Sequence, residues 1–521
     1  MTDRLEIDGR SLTLEDVERV AAANATDSRA GAPLTHVAIS RDAKQRMAAS
    51  RRVVDDAIAQ GRVVYGITTG FGALADVVIP PDRVRELQIN LLRSHAAGVG
   101  PPLGTADVRA ITLLRANVLA AGCSGVRPVV ADRLIDLLNN DVIAVIPARG
   151  SVGASGDLAP LAHLGLVLVG EGEACHGGER MPGGEALHRA GLDALTLEAK
   201  EGIALINGTQ VHTGIGTLAL LAAERALDTA EVAGAMSLEA LRGTPEAFDE
   251  AIQRVRPQPG QVTSARLLRA LLEGSEIRES HRYGDPRVQD AYSIRCMPQV
   301  HGAARQGLAY VRAVLETEVN SVTDNPLIFP EDGRILSGGN FHGQPVAQAL
   351  DLAAIVCADV ASISERRIAR LVDPALSGLP AFLTEDPGVN SGLMMAQIVA
   401  AALVADIRLR AIPASVDNIP TDANREDHVS MGVGAALKLR EAVELLETVL
   451  ALELITAAQG LEFLKPLTPG AGVALAFGRV RERVARWGRD RELGPDIRAV
   501  EMLVRAGTFA EICRASADAA E

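Results

Sequence analysis

The sequence is poor in aromatic residues and has no concentrated run of basic residues. Phe, Trp and Tyr together make up 2% of its 521 residues, and the excess of acidic side chains gives a formal net charge of −14. Proteins that bind nucleic acids carry a basic surface, and aromatic side chains on it often stack on the bases. The composition therefore argues against a nucleic-acid partner.

Cysteines are also few, and none of them has the spacing of metal ligands. The five positions are Cys123, Cys175, Cys296, Cys357 and Cys513. An odd and dispersed set of thiols is typical of free cysteines in a reducing cytoplasm. We therefore expect neither disulfides nor a metal site.

The sequence shows no signal for export or membrane insertion. The amino terminus, Met1 to Glu6, lacks the basic start and apolar core of a signal peptide. Charges such as Asp351, Asp359 and Asp406 interrupt the most apolar helical stretches. These features predict a cytoplasmic protein with no membrane partner.

Helical periodicity dominates the chain from about residue 200 onward. Apolar residues between 439 and 450 recur at the i, i+3, i+4 spacing of one helix face. Long helices are predicted over 344–371, 391–411 and 431–460, which favours a helix bundle. Residues 256–260, which contain two prolines and a glycine, are predicted to form a linker.

The amino-terminal part predicts shorter elements. Residues 5–12 resemble a small hairpin with an Asp-Gly turn, and Thr13 with Asp16 forms an approximate capping box for a helix. Residues 142–146 are a strand candidate, followed by a loop to Gly156. Asp157 is then expected to cap the next helix, whose positive amino terminus would polarise the adjacent segment.

That segment, Ala154-Ser155-Gly156, can form an electrophile from the chain itself. Attack of the Gly156 amide nitrogen on the Ala154 carbonyl carbon would close a five-membered ring and release one water, and loss of the Ser155 hydroxyl would release a second. The product, a methylidene-imidazolone, is a Michael acceptor that no unmodified side chain supplies. Serine brings the leaving group, glycine permits the close backbone approach and alanine adds little bulk.

Two other interpretations fit the same residues. A glycine-rich turn between a strand and a helix would use them without any chemistry. A hydrolase nucleophile elbow, Gly-x-Ser-x-Gly, is matched by Gly153 and Ser155, but Asp157 replaces the last glycine. No Ser-His-Asp set is otherwise suggested.

The longer stretch from Arg149 to His163, RGSVGASGDLAPLAH, resembles the signature of the histidine and aromatic amino acid ammonia-lyase family. Members build the methylidene-imidazolone autocatalytically and use no external cofactor. The resemblance implies a mainly α fold, a long-helix bundle of the aspartase/fumarase-like type with a smaller mixed amino-terminal domain. We assign residues 1–200 to that domain and 201–521 to the bundle. A homotetramer with active sites shared between subunits is also implied.

A second motif supplies a candidate base. The segment YGITTGFG, from Tyr65 to Gly72, is a glycine-rich loop able to bend as a lid, and it resembles the catalytic tyrosine loop of the family. The resemblance implies that Tyr65 removes the substrate β-proton, which requires a lowered pKa. Thr68 departs from the Asn or Ser that histidine-specific relatives often have.

The segment 288–296 resembles a further family motif and holds a candidate carboxylate clamp. An arginine can bind a carboxylate through two parallel hydrogen bonds. Tyr292 and Arg295 are three residues apart and would share one face of a helical turn. The resemblance makes Arg295 the clamp, with Tyr292 and Gln289 assisting in positioning or proton transfer.

Two more segments match family motifs. In 205–210 the resemblance assigns Asn207 to the substrate carboxylate and amine. In 340–345 it places Phe341 in the cavity wall beside the electrophile. Without the family, Asn207 would be read as a turn residue before glycine and Phe341 as a core residue.

His95 and Glu426 bear on the side chain of the substrate. Segment 93–98 resembles the specificity segment of histidine-specific members, with His95 at the side-chain end of the pocket, although tyrosine aminomutases can share its Ser-His pair. In segment 420–431, Glu426 begins a Glu-Asp-His sequence typical of histidine-specific members. A carboxylate can accept an imidazole N–H, whereas a benzene ring would leave it buried and unpaired.

Arg425 stands where the family usually has Gln. Pointing inward, Arg425 would pair with Glu426 and disturb the imidazole contact; pointing outward, it would be a solvated charge. The resemblance as a whole implies conversion of L-histidine to trans-urocanate and ammonia. The alternatives are a tyrosine or phenylalanine ammonia-lyase or aminomutase with the same electrophile, and a non-catalytic helical assembly protein.

Overall fold

The computed structural model describes residues 4–23, 35–285 and 287–519. Its strands are short: β1 (Arg4–Ile7), β2 (His36–Ile39), β3 (Val99–Pro102), β4 (Ile143–Ala144), β5 (Pro147–Arg149), β6 (Glu173–His176), β7 (Glu179–Pro182), β8 (Leu327–Phe329) and β9 (Arg334–Leu336). Its helices are α1 (Leu14–Ala22), α2 (Arg41–Ala59), α3 (Val84–His95), α4 (Thr105–Ala120), α5 (Pro128–Asn139), α6 (Leu158–Leu168), α7 (Gly183–Arg189), α8 (Glu201–Ile206), α9 (Gln210–Ala240), α10 (Glu250–Val255), α11 (Pro259–Leu271), α12 (Glu276–Ser280), α13 (Tyr292–Arg295), α14 (Met297–Glu318), α15 (Gln344–Val372), α16 (Pro374–Ser377), α17 (Met394–Arg410), α18 (Gly432–Glu462), α19 (Ala471–Arg481), α20 (Gly494–Arg505) and α21 (Thr508–Ala519). The mainly α fold predicted from the sequence is confirmed.

The described residues form two compact units, each built from three stretches of chain. The first unit takes the residues up to 218, then 312–351 and 413–437; the second takes 219–311, 352–412 and the residues from 438 onward. The sequence-based assignment has one domain boundary, at residue 200. In the structure the chain instead passes from one unit to the other within the long helices α9, α14, α15 and α18.

The first unit opens with a parallel strand pair rather than the predicted hairpin. β1 pairs with β2 in parallel, with Leu5 opposite Val37. The Asp8-Gly9 turn leads into α1 instead, and the Gly9 N–H donates to Asn117 Oδ1 at 2.9 Å. The prediction was wrong because the local turn signal could not show that a more distant segment pairs with β1. The capping box of Thr13 and Asp16 is confirmed.

The core of the first unit contains a helix that is buried on almost every side. Every residue of α4 from Asp107 to Ala120 is buried, including the polar side chains of Arg109, Arg115 and Asn117. Such groups must find partners in the interior. Arg109 donates to the Val20 carbonyl and to Asp141, and Asn117 Nδ2 donates to the Val319 carbonyl. These bonds fix α4 to its surroundings at specific points.

In the second unit, a buried ion pair joins three long helices. Glu453 of α18 accepts hydrogen bonds from Arg367 of α15 at 2.5 and 2.9 Å, from Ser364 of α15 at 2.5 Å and from Ser237 of α9 at 2.7 Å. Arg367 and Glu453 are fully buried. The group thus links the three helices, and removing one member would leave an uncompensated buried charge.

The long helices lie close to the predicted ranges, since 344–371, 391–411 and 431–460 correspond to α15, α17 and α18. By length and hydropathy, α15 is the one helix of the described chain that could cross a membrane, and 61% of its apolar window is buried within the structure. The predicted linker at 256–260 is a short connection between α10 and α11 inside the second unit.

Candidate active site

The first unit contains a cavity of about 660 Å³. It brings together residues from the loop after α2, the end of α3, the start of α6, α8 and the turn before α18. The lining residues are Tyr65, Gly70, Phe71, Gly72, Leu74, Val77, Ile79, Leu87, Asn90, Leu91, Ser94, His95, Ser155, Leu158, Ile203, Asn207, Asp422 and Glu426. In the described ranges, no group of three or more His, Cys, Asp or Glu side chains could hold a metal ion.

The Ala154-Ser155-Gly156 segment lies between β5 and α6, and its backbone is tightly held. Gly156 has a φ of +74°, and a Cβ there would meet the Gly208 carbonyl oxygen at 2.3 Å. The next N–H, of Asp157, donates to that same oxygen at 2.7 Å. Ala154 is buried. The small residues that cyclisation needs are therefore also the ones that this site can accommodate.

Asp157 stands at the predicted helix start, but its carboxylate does not cap α6. It instead accepts the N–H groups of Val211 and His212 at 2.9 and 3.0 Å, and it pairs with His212 Nδ1 at 2.9 Å. Both side chains are fully buried. Burial alone would lower the pKa of His212, but the Asp157 carboxylate outweighs it and holds that pKa above its ordinary value. The predicted cap is corrected to a buried ion pair that ties the electrophile segment to α9.

Asn207 directs a donor at the same segment. Its Nδ2 donates to the Ser155 carbonyl oxygen at 2.9 Å, while its Oδ1 is buried without a hydrogen-bond partner in the described structure. An unpaired buried acceptor is costly and is more often found at a site that receives a ligand. The amide nitrogen of Asn207 therefore binds the Ser155 carbonyl, and its amide oxygen is left to accept a hydrogen bond from a ligand.

Tyr65 is half-buried, and its hydroxyl oxygen accepts the Gly72 N–H at 3.3 Å. Burial raises the pKa of Tyr65 above its ordinary value; the Gly72 N–H opposes this, and the charges of Asp422 and Glu426 add to it. The predicted lowering of this pKa is therefore wrong for the chain as it stands. The one donor near the phenol does not compensate for burial beside two carboxylates.

Glu426 and His95 lie at the same cavity. Glu426 accepts hydrogen bonds from the Ser155 hydroxyl and, at 2.6 Å, from the Thr421 hydroxyl. Burial lowers the pKa of His95, against the opposing influence of the Leu91 carbonyl and the nearby carboxylates. Burial of His95 therefore favours its neutral imidazole.

Arg425 points away from Glu426. Its guanidinium lies 4.0 Å from Asp76, and its side chain is 64% exposed. The outward orientation, one of the two alternatives considered for this residue, is the one observed. The carboxylate of Glu426 is thus free of a competing cation from its neighbour in sequence.

Six predicted site residues are not among those that line this cavity, and two of them, Ala154 and Gly156, directly flank the lining residue Ser155. Gln289, Tyr292 and Arg295 belong to the second unit, where Arg295 donates to Gln289 and lies 5.0 Å from the centre of the Tyr292 ring. The helical turn predicted for Tyr292 and Arg295 is present as α13. Phe341 is half-buried in the first unit and is not one of the lining residues.

The sequence motifs identified neither Asp422 nor most of the α3 face that carries His95. Leu87, Asn90, Leu91, Ser94 and His95 all line the cavity from α3. Their spacing of i, i+3, i+4, i+7 and i+8 is the signal that could have identified them from His95 alone. Asp422 lies in the segment that was singled out for Glu426, and no local pattern marks it.

The chain is similar to known proteins over nearly its whole length. Residues 12–482 match the family described as aromatic amino acid lyase. Histidine ammonia-lyase of Anaeromyxobacter sp. (strain K) is 53% identical over 513 residues, covering 97% of this chain and 99% of that protein. Histidine ammonia-lyase from Trypanosoma cruzi matches in structure with a TM-score of 0.91 at 41% identity, covering 98% of this chain and 95% of that chain. Tyrosine aminomutase from Streptomyces globisporus matches with a TM-score of 0.90 at 36% identity, covering 98% of this chain and 99% of that chain.

The protein, whose cavity is lined by Ser155, is a lyase that acts on amino acids. The chain belongs to the aromatic amino acid lyase family. The family expected from the motif around Ser155 is confirmed.

Proposed function

We propose that this enzyme converts L-histidine to trans-urocanate and ammonia, a step of histidine degradation. The observation that carries the proposal is the placement of Ser155, Asn207, Tyr65, His95 and Glu426 on one cavity. The similarity to histidine ammonia-lyases along nearly the full chain supports the same substrate.

The electrophile is proposed to arise from Ala154-Ser155-Gly156 by the loss of two waters, without an external cofactor. The methylidene-imidazolone so formed supplies a carbon that accepts the electrons of an amine. Asn207 Nδ2 already holds a donor on the Ser155 carbonyl oxygen. It would stabilise negative charge there, as donors of an oxyanion hole do.

The overall reaction breaks the Cα–N bond, removes one proton from Cβ and forms the Cα=Cβ double bond. Tyr65 is the proposed base for the β-proton, because its phenol lines the cavity together with Ser155. The raised pKa means that few Tyr65 side chains are ionised at neutral pH. Since the Gly72 N–H donates to the phenolic oxygen, it favours the ionised form.

Glu426 is proposed to accept the imidazole N–H of the substrate, with His95 beside it. In the unmodified chain the Ser155 hydroxyl occupies one oxygen of Glu426. Loss of that hydroxyl on maturation would free the oxygen for the substrate. A phenyl ring offers no donor to replace it, so Glu426 favours histidine over phenylalanine.

The substrate carboxylate requires a cation, and we propose that another copy of the chain provides it. Arg295, Tyr292 and Gln289 form one cluster, in which Tyr292 is 70% exposed and the neighbouring Val288 is 100% exposed. A homotetramer with shared active sites would bring this cluster to the cavity of a neighbouring subunit, with Phe341 walling the completed site. The five free thiols suit the cytoplasm as its location.

Incubation of the purified enzyme separately with L-His, L-Tyr and L-Phe tests the proposal. Release of urocanate and ammonia from L-His, with weaker turnover of the others, is expected. The structural similarity to a tyrosine aminomutase makes β-tyrosine or coumarate the products of the alternative. Intact mass spectrometry of the same sample is expected to show a loss of two waters. An active sample at the unmodified mass would contradict the proposed electrophile.

A further inference from the structure

Two loops of the first unit meet above the cavity. The first, residues 65–79, carries Tyr65; the second, residues 421–426, carries Glu426. They are joined by a hydrogen bond from the Ala73 N–H to Asp422 Oδ2 at 3.0 Å. Asp422 itself lines the cavity, although the proposed reaction assigns it no role.

The 421–426 turn holds Asp422 in an unusual conformation. Asp422, Ala423 and Asn424 have φ values of +47°, +53° and +66°. Consecutive left-handed residues without glycine cost free energy, and such strain persists where surrounding bonds enforce it. Here Thr421 and Glu426 close the turn through paired backbone bonds at 2.9 and 3.3 Å and through the Thr421 hydroxyl at 2.6 Å. The same closure fixes the directions of Asp422 and Glu426.

On the facing loop, two consecutive amides have different partners. The Gly72 N–H donates to the Tyr65 hydroxyl oxygen at 3.3 Å, and the Ala73 N–H donates to Asp422 at 3.0 Å. Only glycine fits before Ala73, since a Cβ on Gly72 would lie 2.1 Å from Asp422 Oδ2 and its φ is +53°. The peptide that binds Asp422 is thus directly linked to the donor that orients the phenol.

We propose that Asp422 is a positioning residue that anchors the Gly72–Ala73 peptide and so holds the phenol of Tyr65 at the reacting end of the cavity. The proposal rests on the proposed function for its catalytic consequence, but the anchoring itself does not depend on it. It also assigns a role to the strained 421–426 turn. This closed turn directs Glu426 towards Ser155 and Asp422 towards residues 65–79, the base loop.

The charge of Asp422 has a second effect on the same phenol. The titratable side chains that line the cavity together with Tyr65 are Asp422 and Glu426, which influence its phenol, and His95. A carboxylate near a phenol disfavours the phenolate, so Asp422 contributes to the raised pKa of Tyr65. Asp422 therefore fixes the base in place while making it harder to ionise, and the two effects are separable by substitution.

The full-length enzyme is compared with its D422A and D422N variants by hydrogen exchange and by kinetics. Two amides report opening of the base loop. The Gly70 N–H donates to the Val77 carbonyl at 2.9 Å, and the Ile79 N–H donates to the Thr68 carbonyl at 2.9 Å. In D422A their exchange is expected to accelerate about three- to tenfold, the range for an exposed hydrogen bond to a charged group, with a similar fall in kcat at pH values above the acidic limb, where ionisation of Tyr65 does not limit the rate. D422N keeps an acceptor for Ala73 and is expected to restore most of the protection.

The pH profile separates positioning from a purely structural effect. D422N removes the charge and keeps the anchor, so the acidic limb of kcat/KM is expected to move to lower pH. The matched control is D76N, a change at a 92% exposed carboxylate of the same loop, which should alter neither measurement. Unchanged exchange in D422A, or faster exchange with an unchanged kcat at pH values above the acidic limb, would overturn the proposal. Failure of the wild-type chain to act on any amino acid would overturn the proposed function and leave the exchange result standing.

Discussion

Asp157 and His212 form a fully buried pair directly after the Ala154-Ser155-Gly156 segment, with 2.9 Å between the carboxylate and Nδ1. Because Asp157 directly follows Gly156, the pair fixes the backbone at the end of this segment. Gly343 and Gly432 lie against the imidazole ring, where a Cβ would come within 2.5 and 2.9 Å of it. The pair thus constrains the segment in which cyclisation is proposed to occur.

His212→Phe should leave Asp157 buried without its cation. The expected loss in the free energy of unfolding is about 3–5 kcal/mol, and maturation should slow because the turn loses its anchor. His212→Asn keeps a donor for Asp157 and should retain most of both properties. Intact mass during expression and chemical denaturation measure the two effects. Complete loss of two waters in a His212→Phe chain at the wild-type rate would show that the pair has no role in maturation.

Tyr65→Phe should remove the proposed base while keeping the aromatic packing. Turnover is expected to fall on the order of 100- to 10,000-fold, as for loss of a general base. The loss of two waters should be unaffected, because Tyr65 has no hydrogen bond to Ala154-Ser155-Gly156 in the described structure. Initial rates and intact mass check the two expectations. A variant with near wild-type turnover would place the base elsewhere, with Tyr292 as the next candidate.

Glu426→Gln should weaken the handling of L-histidine more than that of L-tyrosine or L-phenylalanine. Loss of a hydrogen bond to a charged partner changes relative specificity by about 10- to 150-fold. The ratio of kcat/KM values for the three substrates measures this. Arg425→Gln is the matched control, since Arg425 points to solvent and its replacement should leave the ratio unchanged. An unaltered ratio in Glu426→Gln would defeat the assignment of Glu426 to the imidazole.

Glu239 predicts a pH dependence of stability in the second unit. Burial raises its pKa to about 7, although the Ser275 hydroxyl and the Gly470 N–H oppose the change. The folded chain therefore binds this proton more tightly than the unfolded chain, and stability falls as the pH rises from about 4.5 to 7. Glu239→Gln should remove this loss, which is on the order of 3 kcal/mol above pH 7. Urea denaturation at pH 5 and pH 8 tests this expectation. The free energy of unfolding of Glu239→Gln should exceed that of the wild type at pH 8 but not at pH 5.

The sequence predicted the parts of this protein that depend on local pattern. Helix periodicity located α15, α17 and α18 within a few residues, and the Thr13–Asp16 capping box appears as expected. The distant partner of β1 and the binding of Asp157 to α9 instead of α6 both depend on contacts between segments far apart in the chain. No periodicity encodes such contacts.

The candidate site likewise has residues that local motifs predicted and properties that depend on contacts between distant segments. Motifs identified Tyr65, His95, Ser155, Asn207 and Glu426, which the structure places on one cavity. The pKa of Tyr65 was predicted in the wrong direction, because it depends on burial and on neighbours from a distant loop. Asp422 was missed for the same reason, since its bond to Ala73 spans 349 residues of sequence.

Because the first unit consists of three separate stretches of chain, the parts of its cavity are synthesised at different times. The cavity takes Tyr65 and Ser155 from the first stretch and Glu426 from the last, which ends at residue 437. A ribosome emits the chain from its amino terminus, so the serine emerges some 270 residues before the carboxylate to which its hydroxyl donates. A nascent or truncated chain that stops before this point holds the serine without its enclosing turn. We therefore expect the proposed cyclisation to follow synthesis of the 421–426 turn, so that the electrophile would form only once the cavity walls that shield it from stray nucleophiles are present.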